Sequence, residues 1–130
     1  MTHLVLVYGS LRQGHWNNYL LEDSEFLGTH NLRVPFFMVD LGSFPALIKD
    51  KHTSKIMMEL YAVDDVTMDR LDQLEGYPHF YGRTQLETEM GPAWVYFLNE
   101  EPREWHEQHD RKLPVVESGN WTTYVQEEAR

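Results

Sequence analysis

The chain has 130 residues, 42% of them hydrophobic and 13% aromatic, and no cysteine. That length suits one domain, residues 1–130, able to bury about two-thirds of its unfolded surface; the missing thiols exclude disulfides, thiolate nucleophiles and cysteine-ligated metal centres. Eleven basic against 21 acidic side chains leave a formal charge of −10, a field that repels phosphate backbones and argues against nucleic-acid partners.

In chain order, residues 3–8 read as a buried strand, an apolar β-branched run that stops at Gly9. Ser10 to Asn18 is a polar loop, with a short helix following over Tyr19 to Asp23. Phe26 to Leu41 has strand character broken at Pro35, so two strands or an interrupted edge strand are expected. Gly42-Ser43-Phe44-Pro45 is a turn, Ala46 to Ile48 a short strand, and Lys49 to Ser54 a polar turn. Ile56 to Val63 is another strand, with Ile56, Met58 and Leu60 on one face and Met57, Glu59 and Tyr61 on the other. The clearest helix runs from Asp65 to Glu75: Asp64 or Asp65 caps it, Met68, Leu71 and Leu74 recur at helical spacing, and Gly76 stops it. Strands follow over Tyr81 to Thr88 and Ala93 to Leu98, joined by a turn over Glu89 to Pro92. Asn99 to Lys112 has no clean period and reads as a loop or irregular helix. Leu113 to Val116 and Ser118 to Trp121 read as a closing strand and a turn. Many short strands with one good helix predict an α+β domain whose sheet is curved or closed. No apolar run approaches the ~20 residues of a membrane span. Leu4-Val5-Leu6-Val7 is too short for a secretion signal and lacks preceding basic residues, so a cytoplasmic location is expected.

Two stretches carry candidate chemistry. In Val7-Tyr8-Gly9-Ser10-Leu11-Arg12, Gly9 permits positive φ and close approach of a ligand. Successive N–H groups at Gly9, Ser10 and Leu11 can form a nest for a carboxylate or a developing oxyanion. A plain tight turn is the competing reading. In Leu71-Asp72-Gln73-Leu74-Glu75-Gly76-Tyr77-Pro78, Glu75 occupies the last helical turn. That is the negative end of the helix dipole, and a partly buried carboxyl there has a raised pKa, as a general base near neutral pH requires. A solvated helix-end glutamate is the alternative.

Together these stretches resemble the gamma-glutamylcyclotransferase-like family, which includes gamma-glutamylamine cyclotransferases and AIG2-like proteins. The resemblance spans nearly the whole chain: Tyr8-Gly9-Ser10-Leu11 with Gly14 and Asn17, Phe26-Leu27-Gly28, Asp40 to Ala46, Glu59-Leu60-Tyr61, the Leu71 to Arg83 block, and Ser118-Gly119-Asn120-Trp121. It implies a small mixed β-barrel with flanking helices. The implied activity converts a gamma-glutamyl amine or amino acid to 5-oxoproline and a free amine, without a cofactor. Glu75 would be the catalytic acid/base, Tyr8, Gly9, Ser10 and Leu11 would bind the gamma-glutamyl group, and Tyr81 would edge the pocket. Arg83 is expected in an ion pair, as is Glu59 unless it faces water. Met58 stands where the family often has glycine, and would either narrow the cavity or fill the core.

The rival class is a non-catalytic small-molecule-binding or regulatory protein on the same scaffold, since fold does not fix function. A metal site is disfavoured: His106 and His109 are three apart, whereas two ligands on one helical face need four. His15 and His79 flank the two motif blocks and would reach the pocket mouth or stay solvated. Trp94 is expected in the core, Trp121 packed at the barrel end, and Trp105 at a lid or subunit contact.

Overall fold

The computed structural model describes residues 1–99 and 114–128. Five strands form one sheet in the order β2-β3-β1-β5-β4, with β1 His3–Val7, β2 Glu25–Asp40, β3 Pro45–Val63, β4 Tyr81–Thr88 and β5 Gly91–Leu98. All neighbours are antiparallel except β1 and β5, which run parallel. The first strand lies at the centre, and this explains its unbroken apolar run. Both of its faces are covered: Val5 and Val7 point into one core and Leu6 into a second.

Helix α1 (Asp65–Glu75) delivers Met68 and Leu71 to the first core, and helix α2 (Trp121–Glu128) delivers Trp121 to the second. The face assignment along β3 agrees with this division, since Ile56, Met58 and Leu60 enter the second core and Tyr61 and Val63 the first. Met58 is fully buried there and does not line the cavity described below. Trp121 is buried and stacks on Tyr124, whereas Trp94 is only partly buried and takes the Arg83 guanidinium on its ring face at 4.3 Å.

The sheet is not closed, so the expected barrel is open. Its edges are β2 and β4, and part of the β2 edge is paired with a segment outside the five strands. The backbone before α2 pairs with the β2 edge, Asp40 N–H donating to Pro114 O at 2.9 Å and Val116 N–H to Met38 O at 2.8 Å. Of the closing strand expected over Leu113 to Val116, Leu113 lies outside the described residues, and residues 114–116 make a single bridge, Val39 to Val115. The helix that follows, α2, replaces the turn read into Ser118 to Trp121. Its eight residues carry Trp121, Tyr124 and Val125 on the side that packs, too few repeats for periodicity to announce it.

Two further expectations change. The segment around Lys49 to Ser54 is no turn but part of one long β3. Val34 pairs with Ser54 while Phe36 pairs with Lys49, so residues 50–53 bulge opposite Pro35. Pro35 lacks a ladder donor, and an edge strand interrupted there lets the polar partner residues loop outward. The short helix expected after the first loop is a 3-10 turn over Asn18–Leu21. Beyond Asn99, the stretch read as a loop or irregular helix lies outside the described residues, and Trp105, His106 and His109 lie there with it. No described helix is long and apolar enough to cross a membrane.

Candidate active site

Where β1 leaves the sheet, the chain turns sharply. Arg12 N–H bonds back to Gly9 O at 3.0 Å, and Asn17 N–H to Ser10 O at 3.0 Å. Asn17 also donates from Nδ2 to Ser10 Oγ at 2.8 Å, and Asn18 Nδ2 to Leu11 O at 2.8 Å. The loop is further tied to β3 through a buried ion pair. Arg12 Nε meets Glu59 Oε2 at 2.8 Å, while Gln13 N–H donates to Glu59 Oε1 at 2.8 Å. Two bonds reach the α2 end of the chain, Arg12 to Asn120 Oδ1 at 3.0 Å and His15 Nε2 with Thr122 Oγ1 at 2.8 Å. His15 therefore braces the loop from behind. Neither it nor His79 lines the cavity.

Of the reasons expected for Gly9, positive φ is not used, and a packing reason stands beside them. A Cβ there would sit 2.6 Å from Pro45 Cγ and 2.7 Å from Cδ, at the start of β3. Gly9→Ala must push the loop off Pro45, and overpacking of this kind costs about 1–3 kcal/mol. We expect a lowered urea midpoint together with a raised KM. A variant with both unchanged would show that the loop and the proline ring separate freely.

The second half of the site comes from α1. Asp64 caps its start by accepting from Thr67 N–H at 2.7 Å. Left-handed Gly76 closes its end by donating to Asp72 O and Gln73 O, fixing Glu75 in the last helical position. One turn back, Asp72 clamps that end to the sheet. It accepts from Tyr96 OH at 2.7 Å and pairs with Arg83, whose Nε lies 3.1 Å from Oδ1. The Arg83 guanidinium is itself held between the rings of Tyr77 and Trp94, 4.5 and 4.3 Å from their centres. Arg83 thus makes the ion pair expected from the sequence.

Between the two halves lies a cavity of about 450 Å³, lined by Tyr8, Gly9, Ser10 and Leu11 from the loop and by Glu75 and Tyr81. All six residues singled out in the sequence meet there. Tyr81 is not at the edge, however: it is buried, donates to Pro45 O at 3.0 Å, and has Phe80 packed edge-on at the rim. Tyr96, Asn17 and Pro45 also line the space, and the sequence reading does not count them as site residues. A buried strand tyrosine such as Tyr96 carries no local signal that distinguishes it from core.

Glu75 is the one charged side chain among the described lining residues. Removal from water raises its pKa from 4.5 to about 7, and no described residue hydrogen-bonds its carboxyl. Around it, Tyr8, Tyr81 and Tyr96 all have pKa values raised, chiefly by burial, with the Glu75 charge adding to each. These phenols stay neutral. Tyr8 donates its proton to Tyr96 O at 2.7 Å, so its hydroxyl, like those of Tyr81 and Tyr96, is already spent on the protein. Across the cavity, the N–H groups of Gly9, Ser10 and Leu11 have no acceptor among the described backbone bonds. The arrangement sets an unpaired, weakly acidic carboxyl against free backbone donors in a largely apolar space. Such a site can move a proton on a bound molecule and hold a negative oxygen.

Known proteins resemble the chain over most of its length. The sequence profile of the family described as gamma-glutamyl cyclotransferase, AIG2-like, matches residues 5–123. A Vibrio cholerae protein carrying the gamma-glutamylcyclotransferase name is 38% identical over 125 residues, covering 96% of this chain and all of that one. The gamma-glutamylcyclotransferase family protein YtfP of Escherichia coli K12 is 27% identical over 90% of this chain and 94% of its own. Among solved structures, a mouse AIG2-like protein superposes with a TM-score of 0.69 at 26% identity, covering 89% of this chain and 86% of that one. A Pyrococcus horikoshii protein shares the fold with a TM-score of 0.77 at 22% identity, over 98% of this chain and 96% of its own. The chain therefore belongs to the gamma-glutamyl cyclotransferase, AIG2-like family.

Proposed function

We propose that the protein is a cyclotransferase that cleaves a gamma-glutamyl amide or amino acid, releasing 5-oxoproline and the free amine, with Glu75 as general acid/base. The observation that carries this reading is the unpaired Glu75 carboxyl, with a pKa near 7, facing the N–H turn of Gly9 to Leu11. The substrate's α-ammonium gives one proton to Glu75, and the freed amine attacks its own γ-carbonyl carbon. The carbonyl oxygen becomes an oxyanion as the new C–N bond forms. Collapse breaks the bond to the departing nitrogen, which takes the first proton back from Glu75. The second proton of the ring nitrogen then passes by way of Glu75 to the released amine, which leaves as an ammonium, so the lactam is neutral and the enzyme ends as it began. No protein nucleophile is needed, which suits a chain without cysteine. The loop N–H groups of Gly9, Ser10 and Leu11 serve the substrate's anionic oxygens, and Tyr8 and Tyr81 wall the glutamyl chain.

A positioned acid/base contributes about 10²–10⁴-fold, and a substrate folded into its cyclising conformer contributes further through proximity. The test is a panel of gamma-glutamyl compounds scored by mass for 5-oxoproline. Binding without any lactam product would instead support the non-catalytic alternative.

The pH dependence has a definite sign. Only ionised Glu75 can accept a proton, so kcat/KM should rise with pH through about 7 and level above it, until the substrate amine loses its own proton. A rate independent of pH across the neutral range would show that some other group is the base.

A further inference from the structure

The cavity has two unlike parts. Its floor is formed by buried side chains, Leu6, Val7, Tyr8, Leu11, Tyr81 and Tyr96. Its rim is formed by large apolar side chains left in solvent: Trp16 is 77% exposed, Leu74 42%, Phe80 41% and Phe44 39%. Single exposed hydrophobes are ordinary. These four come from three separate segments, the β1 loop, the β2–β3 turn and the stretch from the end of α1 to β4, yet border one opening. Exposed apolar side chains gathered around a cavity mark a surface built to be covered. Trp16 is moreover presented from a fixed backbone, because the residues after it are pinned through Asn17 N–H to Ser10 O and Asn18 N–H to His15 O.

Cyclotransfer divides its substrate in the same way. The glutamyl part must reach Glu75 and the Gly9–Leu11 turn, which leaves the substituent on the departing nitrogen to face the opening. We infer that this substituent is an uncharged hydrocarbon or aromatic group seated on Trp16, Phe44 and Phe80, so that the preferred substrate is the γ-glutamyl amide of an apolar amine. The inference rests on the cyclotransferase reading. A carboxylate on the departing side, as in a γ-glutamyl amino acid, would find no cation among the described lining residues. It would lie near Glu75 in a chain whose formal charge is −10. A second ammonium would find one carboxyl among the described lining residues, Glu75, already engaged by the α-ammonium. Aromatic faces do attract cations, which makes the cationic amide the comparison that matters most.

The test compares γ-glutamylbenzylamide, γ-glutamylglycine and γ-glutamylputrescine. The benzylamide should lead both others in kcat/KM by ~10–100-fold, the worth of burying a ring-sized apolar group. Trp16→Ala should shrink its lead over γ-glutamylmethylamide several-fold. Equal values for the three, or a lead for the glycine or putrescine compound, would overturn the inference. Calorimetric binding of the same compounds to the Glu75→Gln protein ranks them without turnover. If none yields 5-oxoproline but the binding order holds, the proposed reaction fails and the rim assignment stands. Turnover of all three with no lead for the benzylamide leaves the reaction standing and removes the rim assignment alone.

Discussion

Glu75→Gln should retain the fold, lose turnover by about 10²–10⁴-fold, and unfold at a higher temperature than the parent protein above pH 7. The amide fills the same space but cannot accept the substrate's proton. The gain in stability follows from the same burial that tunes the base. The folded pKa is raised from 4.5 to about 7, so between those values the folded protein binds more protons than the unfolded chain. The carboxyl's favourable contribution is complete below about pH 4.5 and is lost as the pH rises through 7. At ~1.4 kcal/mol per unit, ionising it in place costs at most ~3.5 kcal/mol, and less to the extent that water enters the cavity. Gln has no charge to bury. The difference in melting temperature between the two proteins should therefore be small at about pH 5 and widen by several degrees at about pH 8. A constant difference across that range would mean that the carboxyl titrates as a surface group, and the base assignment would go with it.

That prediction is legible in the sequence because each of its parts is local. Asp64, the Met68 and Leu71 spacing and Gly76 define a helix whose last residue is Glu75, and the structure ends it there. The central strand is equally legible, since β1 is apolar on both sides. What the sequence hides is what depends on distant partners. The bulge opposite Pro35 arises from the β2–β3 register, and the polar residues it expels look like a turn. A closed barrel is the expectation, but closure is decided by where residues 114–116 dock on the β2 edge. Within the site, the loop motif stands out in the sequence, but the packing reason for Gly9 does not. Pro45 is remote in the chain, and its ring reaches the glycine only after β3 has paired. Tyr96 and Asp72 are similar cases: an ordinary strand tyrosine and an ordinary helical aspartate become the clamp on the end of α1 through one bond of 2.7 Å.

Glu59→Ala should produce the largest loss of stability. The β1–β3 register sets Glu59 directly across from Val7, beneath the point where the loop departs. Its side chain is buried along with that of Arg12, and it accepts from Arg12, from Gln13 N–H and, at 3.2 Å, from Tyr61 OH. Deleting the carboxylate strands a guanidinium in the interior, a change that costs about 3–5 kcal/mol where one partner of a buried pair is removed. Arg12→Met combined with Glu59→Met should recover much of that loss, because no charge is then left unpaired. It should not recover binding. Without Glu59 the Gln13 N–H has no acceptor, and without Arg12 the tie to Asn120 is gone, so the Gly9–Leu11 donors lose their fixed aim. Urea unfolding should show the double variant more stable than Glu59→Ala, while its KM stays raised and its kcat falls less. If the double variant restored KM as fully as stability, the ion pair would serve only to hold the fold together, and the loop geometry would be set elsewhere.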